Sequence, residues 1–301
     1  MEALFACFDK MHNTACLSRP FLRKLLPKGT MILTPRLSYE VRNTDLDNFF
    51  ELKVRMCGDG SKMIQGIHFQ ESYLPTCQEI SFRMAMGLAA TLFMTLYFID
   101  ASNAFQTNVI SEPSRRNHVG LPFGYLDWYK LRWPNHPLLQ YAAKELAMQT
   151  LRNLQGTKDA GHQWYKLLVK IFLELGLKPN SVCRGIWHWH HEAGEAILCL
   201  ATDDMLFAST SKILYDLLLK EFAKYFEYTT RTGPELSFLN YRIVQSEWGI
   251  SIDQTTHIRQ NILAKYFPNE KETVPFYSSP FPKMAKLKWI YIKLHISQKK
   301  N

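Results

Sequence analysis

The sequence predicts an α+β fold in which an antiparallel sheet is covered by helices on one side. Three observations predict it: a long amphipathic helix pattern at residues 160–175, a hairpin pattern at residues 185–202, and short apolar runs that recur between helical segments. Interleaved strands and helices with hairpins among them are typical of an α+β sheet with helices packed on it.

The clearest helix is predicted over Ala160–Leu175. Its apolar residues recur with the spacing of one helix face, namely Trp164, Leu167, Leu168, Ile171, Phe172 and Leu175. Asp159 is placed to cap its start, and Gly176 to end it. We interpret Trp164 as a core residue. Shorter helices are predicted over Phe82–Ala90 and near His257–Phe267. Another helix is predicted between them, with Ile213, Leu217, Leu218, Phe222 and Tyr225 on one face.

Extended apolar runs predict the strands. One runs from Thr95 to Asp100, and two more, Gly185–His190 and Ala196–Thr202, form a hairpin. The chain is again extended over Met205–Ser209, Phe238–Gln245 and Gly249–Asp253.

The predicted organisation has three parts. Residues 1–47 show no clear periodicity, residues 48–270 hold the regular elements, and residues 271–301 are rich in Pro and Ser and then in Lys. We interpret the last part as a linker followed by a basic tail.

Charge and composition limit the partners and the cellular location that we expect for the protein. The net charge is +9, which is compatible with a polyanionic partner such as nucleic acid and also with an ordinary basic protein. Six cysteines include no CxxC pair, which predicts free thiols. The apolar run Met84–Ile99 is shorter than the roughly 20 residues of a membrane span. No clear signal peptide is present, so we expect no membrane partner and a cytoplasmic or nuclear location.

Paired carboxylates are the strongest chemical feature. Asp203 and Asp204 stand between two apolar strand-like runs, and Asp100 ends another apolar strand. Asp is common in turns, so an ordinary turn is one interpretation. The other is a metal site, because carboxylate oxygens are the ligands that Mg²⁺ prefers and two such ions catalyse phosphoryl transfer.

Several motifs in order resemble one family. They are Asp100-Ala101-Ser102-Asn103-Ala104-Phe105, Leu154-Gln155-Gly156-Thr157-Lys158 with Gln163-Trp164-Tyr165, and Thr202-Asp203-Asp204-Met205-Leu206. Together they resemble the reverse transcriptase of copia-type retrotransposons, from about Leu52 to Pro268. The resemblance implies the fingers and palm of a right-hand polymerase, an antiparallel palm sheet backed by helices, and a missing or truncated thumb.

The resemblance also implies roles for single residues. The matched positions are the metal-binding and catalytic Asp100, Asp203 and Asp204, the steric gate Phe105, the nucleotide-binding loop Gln155 and Gly156, and the triphosphate-binding Lys53 and Arg55. The implied cofactor is two Mg²⁺ ions, with Mn²⁺ as an alternative. The implied partners are an RNA or DNA template with its primer and deoxynucleoside triphosphates. The oligomeric state stays open.

Departures from the family pattern leave two alternatives. Ala201 stands where the family has an aromatic residue before its paired acids, and Thr202 stands at the β-branched position that follows. This favours, as an alternative function, an inactive truncated element copy that keeps a nucleic-acid-binding fold, and the ends outside the resemblance agree with truncation. The third hypothesis is an unrelated Mg²⁺-dependent nuclease. Phe105 and the loop at Gln155 argue against it.

Overall fold

A computed structural model describes residues 1–44, 49–107, 109–110, 112 and 115–263 of the chain. Residues 1–253 form one unit, and residues 254–263 belong to a second. The boundary predicted near residue 47 falls inside the first unit. The linker and tail predicted for residues 271–301 lie outside the described residues.

The regular elements alternate along the chain. The helices are α1 (Glu2–Asn13), α2 (Glu79–Thr91), α3 (Tyr125–Arg132), α4 (Ala160–Glu174), α5 (Lys212–Phe222) and α6 (Thr255–His257). The strands are β1 (Phe21–Leu22), β2 (Ile32–Leu33), β3 (Pro35–Thr44), β4 (Phe49–Gly58), β5 (Thr95–Ala101), β6 (His118–Gly120), β7 (Leu146–Gln149), β8 (Lys178–Pro179), β9 (Ile186–His191), β10 (Gly194–Ala201), β11 (Asp204–Ser209), β12 (Tyr228–Thr232), β13 (Glu235–Phe238), β14 (Tyr241–Ser246) and β15 (Gly249–Asp253).

The central sheet has six antiparallel strands in the order β12-β5-β11-β10-β9-β8. Its middle strands are buried on both faces, which is why their sequences are continuous apolar runs. Helices and sheets coexist in one chain, so the predicted α+β class is confirmed.

Both faces of this sheet carry a core, which corrects the prediction that helices cover one side only. Helices α4 and α5 pack on one face through residues such as Trp164, Ile171 and Phe222. The other face packs against α2, through Phe82, and against the small sheet β13-β14-β15. Successive side chains of a strand point to opposite faces of the sheet, so alternate residues of the same strand belong to the two cores.

A second region holds the N-terminal part of the chain. Strands β1, β7, β6 and β2 form a small sheet, and the long hairpin β3–β4 stands beside it. Helix α1 packs here through Leu4, Cys7, Phe8 and Met11, all buried. The expectation that the first 47 residues lack periodicity was therefore wrong, because these four positions have the spacing of one helix face.

The predicted elements agree with the structure in most places. The face of α4 is buried as predicted, and Gly176 ends it with φ +87°. Asp159 does not cap α4, since its side chain makes no capping hydrogen bond. In α5 the predicted Ile213 is 58% exposed, and Leu214 and Tyr215 are buried instead.

Residues 254–263 form a short helical turn, α6, followed by a π-helical turn over Ile258–Leu263. The remainder of the helix predicted up to Phe267 lies outside the described residues. No helix within the described ranges is long and apolar enough to cross a membrane.

Candidate active site

The register of the central sheet brings two of the predicted acids together. Asp204, the first residue of β11, lies directly opposite Asp100, near the end of β5. Directly paired residues on neighbouring antiparallel strands place their side chains on the same face, with Cβ atoms about 5 Å apart. Two carboxylates distant in sequence are therefore neighbours at the ends of two inner strands of the sheet.

Asp203 lies in the two-residue turn that joins β10 to β11. The turn begins at Thr202, whose φ is +61°, a conformation that a β-branched residue rarely adopts. Two hydrogen bonds from other elements hold it there. The Trp164 indole N–H donates to the Thr202 carbonyl at 2.7 Å, and the Ala101 amide donates to the Asp203 carbonyl at 3.2 Å. The core residue Trp164 thus fixes the position of the paired acids.

Burial, and then neighbouring negative charge, raise the pKa values of Asp203 and Asp204. Burial raises the pKa of Asp203, the charge of Asp100 adds to the rise, and Arg55 opposes it. Burial and the charges of Asp203 and Asp100 raise the pKa of Asp204 to about 6, with Arg231 in opposition. Both carboxyls are thus partly desolvated beside other acids, an arrangement that is common at sites which receive a cation or a proton.

We expect Asp204→Asn to stabilise the protein near pH 8 and to have little effect near pH 4. The carboxyl has a pKa of about 6 when folded, against an ordinary value of 3.8. Between these values the folded state binds more protons than the unfolded state, so Asp204 lowers stability as the pH rises through this window. Thermal unfolding of both proteins across that range measures the difference.

Asp216→Asn is the control, because Asp216 is an exposed residue of α5 that pairs with Lys212. An Asp204→Asn variant that is destabilised, or whose Tm difference is the same at both pH values, would contradict the assigned repulsion.

A cleft of about 330 Å³ opens beside the carboxylates, and we call it the aspartate cleft. Six of the eight predicted site residues line it, namely Lys53, Arg55, Asp100, Phe105, Gln155 and Asp203. Asp204 and Gly156 do not line it; Asp204 lies opposite Asp100, and Gly156 lies against Gly58. The fold therefore collects residues from four separate stretches of sequence around one cavity.

The cationic wall of the cleft comes from β4. Lys53 and Arg55 alternate along this strand and so share one face of it. The Arg55 guanidinium donates a hydrogen bond to the Glu40 carboxylate of β3. Since the pair is partly exposed, its attraction is weak and a more highly charged anion could displace Glu40.

The loop at Gln155 and Gly156 is locked to the chain that follows β4. The amide of Gly58 donates to the Gln155 carbonyl at 2.8 Å, and that of Gly60 donates to the Gly156 carbonyl at 3.2 Å. Gly156 has φ +91°, and a Cβ there would lie 2.3 Å from the Gly58 carbonyl oxygen. Glycine is thus required at this position for two independent reasons.

Phe105 lies in a single 3-10 turn, Ala104–Gln106, directly after β5. It is partly buried against the core of the central sheet, and it also lines the aspartate cleft. The preceding Asn103 has φ +53°, which sets the direction of the chain as it leaves the strand.

Helix α1 adds cleft residues that sequence reasoning missed. Cys7, Lys10 and Met11 also line the aspartate cleft. The helical spacing of Leu4, Cys7, Phe8 and Met11 was the available signal for the helix. No sequence motif marked Lys10, because its place in the cleft follows from the packing of α1 on β4.

The acidic donor set suits a hard divalent cation, because carboxylate oxygens are its preferred ligands and Asp100, Asp203 and Asp204 are neighbours at one end of β5 and β11. In the part of the chain that the structure describes, no three His, Cys, Asp or Glu side chains already converge as a metal-binding group. The chemistry of the residues therefore fits such an ion, and the carboxylates are neighbours without forming a finished chelate.

Comparison with known proteins gives one family. Residues 136–275 match the family described as "Reverse transcriptase (RNA-dependent DNA polymerase)", a range that includes Asp203 and Asp204 but not Asp100. The chain is 25% identical over 222 residues to the "Retrovirus-related Pol polyprotein from transposon TNT 1-94" of Nicotiana tabacum. That alignment covers 73% of the chain and 15% of the polyprotein, so the chain spans a small part of this relative's length.

Two solved structures of a foamy viral protease-reverse transcriptase in complex with double-stranded DNA are similar at a low level. One has a TM-score of 0.44 and 13% identity, covering 98% of this chain and 47% of the viral chain. The other has a TM-score of 0.42 and 12% identity, covering 81% and 34%.

Proposed function

Because the chain contains a copia-type reverse transcriptase domain, we propose that it acts as an RNA-directed DNA polymerase. The reaction joins a primer 3′ hydroxyl to the α-phosphorus of a deoxynucleoside triphosphate, with loss of the hydroxyl proton and release of diphosphate. The central sheet is the proposed palm, and the β3–β4 hairpin belongs to the proposed fingers. We assign no thumb to the described residues.

One observation carries the proposal: Asp204 lies opposite Asp100 in the sheet register, with Asp203 in the adjoining turn. Asp100 and Asp203 line a cleft that Lys53 and Arg55 also line, and Asp204 is the neighbour of Asp100 across the strands. A nucleoside triphosphate needs both features. Its phosphates bind cationic side chains, and its reacting centre needs charge neutralisation by metal ions that carboxylates would hold.

Asp100, Asp203 and Asp204 are the residues that would hold Mg²⁺ or Mn²⁺. When bound, two such ions would supply activation of the attacking oxygen and stabilisation of the leaving one. The protein's own contribution is to hold these carboxylates close together. The turn at Thr202, held by Trp164, performs the positioning.

Lys53 and Arg55 are the proposed triphosphate ligands. Both line the aspartate cleft together with Asp203, so the phosphates of a nucleotide bound in the cleft would reach them. The bond from Arg55 to Glu40 would be exchanged for a bond to phosphate. Gln155 also lines the cleft, on a loop whose carbonyl groups accept hydrogen bonds from the amides of Gly58 and Gly60.

We expect Phe105→Val to increase ribonucleotide incorporation relative to deoxyribonucleotide incorporation by about tenfold or more. The Phe105 ring lines the cleft, and a smaller side chain leaves room for a 2′ hydroxyl. The ratio of kcat/KM for the two substrates measures the effect.

Phe123→Val is the matched control, since Phe123 is 78% exposed and does not line the cleft. An unchanged discrimination ratio in the Phe105→Val protein would show that this ring is only a core residue.

A primer extension assay tests the polymerase. A primed RNA template with deoxynucleoside triphosphates and Mg²⁺ or Mn²⁺ should yield extended primer from the folded wild type. Absence of extension by folded protein with either ion would overturn the proposed activity for this chain.

A second candidate, an inactive domain that binds nucleic acid, is favoured by one observation. Ala201 pairs with Asp204 at the position where the family carries an aromatic side chain, so no ring precedes the acids. This candidate predicts template binding that weakens as salt is raised, without extension.

A further inference from the structure

An exposed apolar ridge runs along helix α2, on the side that faces away from the central sheet. It consists of four residues spaced four apart, each between 41% and 74% exposed: Ile80, Met84, Leu88 and Leu92. The face of α2 that packs on the sheet is a different set, namely Phe82, Ala85, Met86 and Ala89. Rows of this spacing are the ridges through which helices pack against one another. Helix α2 thus has a second packing face, the α2 ridge, which the described residues leave uncovered.

Phe93 extends this surface past the end of α2. It is 87% exposed, and its φ of +51° lies in the left-handed region that favours glycine. The Met94 amide donates to the Ala89 carbonyl at 2.9 Å, which closes the turn around it. The left-handed conformation costs free energy, and the exposed ring returns none of it through burial within the described chain. Phe93 therefore indicates a partner that covers it.

Gly87 leaves a gap beside the middle of the α2 ridge. A Cβ added there would meet no atom within 4 Å, so no close contact of the described chain requires glycine here. Glycine also weakens a helix interior relative to alanine. The missing side chain does, however, let a second helix approach α2 closely, because the distance between packed helices depends on the side chains at their contact.

The α2 ridge has the same order in both directions, since its four members are evenly spaced about the midpoint between Met84 and Leu88. A second copy of α2 in antiparallel orientation would place its own Leu88 against Met84, and its own Leu92 against Ile80. The two-fold axis of this arrangement passes beside Gly87. The ridge is thus complementary to itself, as the interface of a symmetric dimer must be.

Charge does not oppose such a pairing. The charged residues of α2 are Glu79 and Arg83, which form an ion pair within the chain, and Arg83 also donates to the Tyr241 hydroxyl at 2.7 Å. Residues 84–93 carry no charge. Two copies can therefore meet along the ridge without repulsion, while a charged partner finds no complementary group there.

The size of the surface also fits a dimer. With about 200 Å² for a fully exposed side chain of this size, the α2 ridge and Phe93 together expose on the order of 650 Å². The largest apolar patch of a typical monomer is about 300 to 600 Å². Two such surfaces would bury a total of about 1,300 Å², which lies within the range of stable protein interfaces.

We propose that the chain forms a symmetric dimer in which α2 of one copy packs antiparallel on α2 of the other. This dimer is independent of polymerase activity, because no residue of the α2 ridge lines the aspartate cleft. The alternative occupant of the ridge is another segment of a longer chain, and the experiment below distinguishes the two.

Sedimentation velocity of the full chain, at concentrations from about 1 to 100 µM, tests the dimer. One variant combines Met84→Lys with Leu88→Lys, and a second combines Met84→Glu with Leu88→Glu. Both positions are exposed, so a single chain should tolerate either pair of changes, and thermal unfolding checks this. Leu173→Glu is the matched control, since Leu173 is an exposed leucine of α4.

We expect the wild type and Leu173→Glu to dimerise with a dissociation constant on the order of 10 µM. Each charged double variant alone should dimerise at least about a hundredfold more weakly, because like charges would then meet beside the two-fold axis. An equimolar mixture of the two double variants should regain the dimer, since lysines of one copy then face glutamates of the other.

Gly87→Gln separates packing between copies from the stability of one chain. It should raise the Tm, because it replaces glycine within a helix, and weaken dimerisation by about tenfold, because it holds the two helices apart. Dimerisation of this variant at the wild-type affinity would contradict the close approach at Gly87.

A wild type that stays monomeric at the highest concentration would overturn the proposal and leave the ridge to another segment. A dimer that the charged double variants leave intact, or a mixture of them that does not associate, would also overturn it. Asp203→Asn protein should dimerise as the wild type does, so failure of polymerisation and failure of this interface are distinguishable.

Discussion

Asp100→Asn, Asp203→Asn and Asp204→Asn are each expected to lower primer extension by about a thousandfold or more. Asparagine keeps the shape of each side chain and removes one negative charge from the cluster. The acids share a small region, where Asp204 is opposite Asp100 and Asp203 is in the adjoining turn. Loss of one charge therefore weakens cation binding by all three. Initial rates with saturating nucleotide and Mg²⁺ measure the effect.

Asp216→Asn is again the suitable control, because it removes a carboxylate of the same type from the exposed face of α5. Thermal unfolding should show that each variant is folded, and Asp204→Asn should be the more stable protein near pH 8. A variant that is both stabilised and inactive is the signature of charge concentrated for function. Wild-type extension rates in Asp203→Asn or Asp204→Asn would refute the assigned roles.

Gly156→Ala is expected to lower the free energy of unfolding by on the order of 3 kcal/mol or more. The added Cβ would lie 2.3 Å from the Gly58 carbonyl oxygen, while the residue would also be held at φ +91°. To relieve the contact, the loop must break its hydrogen bonds to the segment after β4. Denaturant-induced unfolding measures the loss.

Gly29→Ala separates the two causes. Gly29 has nearly the same backbone conformation, with φ +86°, but a Cβ there would meet no atom within 4 Å. We expect this change to cost only about 1 to 2 kcal/mol, the strain of an L-residue in the left-handed region. If the two variants lose the same stability, the close approach of Gly156 to Gly58 contributes nothing.

The sequence was sufficient for elements whose pattern is local. Helix α4 is recognisable because Trp164, Leu168 and Phe172 repeat at the period of one helix face, and burial of that face confirms it. The strands around Asp100 and Asp203 are recognisable because they are buried on both faces and so consist of continuous apolar residues. Period and composition are properties of short segments, which a sequence displays directly.

The sequence pattern was less informative about the buried face of α5 and about the cap of α4, because contacts with other elements decide both. In α5 the predicted Ile213 is exposed and Tyr215 is buried, because Tyr215 stacks on Tyr97 of β5 with ring centroids 3.9 Å apart. Asp159 has the residue type of a helix cap, yet its side chain makes no capping hydrogen bond and its Oδ1 atom is buried. Local propensity is weaker than such tertiary contacts.

By itself, the sequence determined the α+β class, the main helix and strands of the central sheet, and the set of acidic residues between them. Only the tertiary structure decided that Asp204 lies opposite Asp100 and that helix α1 lines the aspartate cleft. The physical reason is that strand register and helix packing depend on contacts between residues distant in sequence. These contacts are selected by burial of the whole core, and no short segment encodes them.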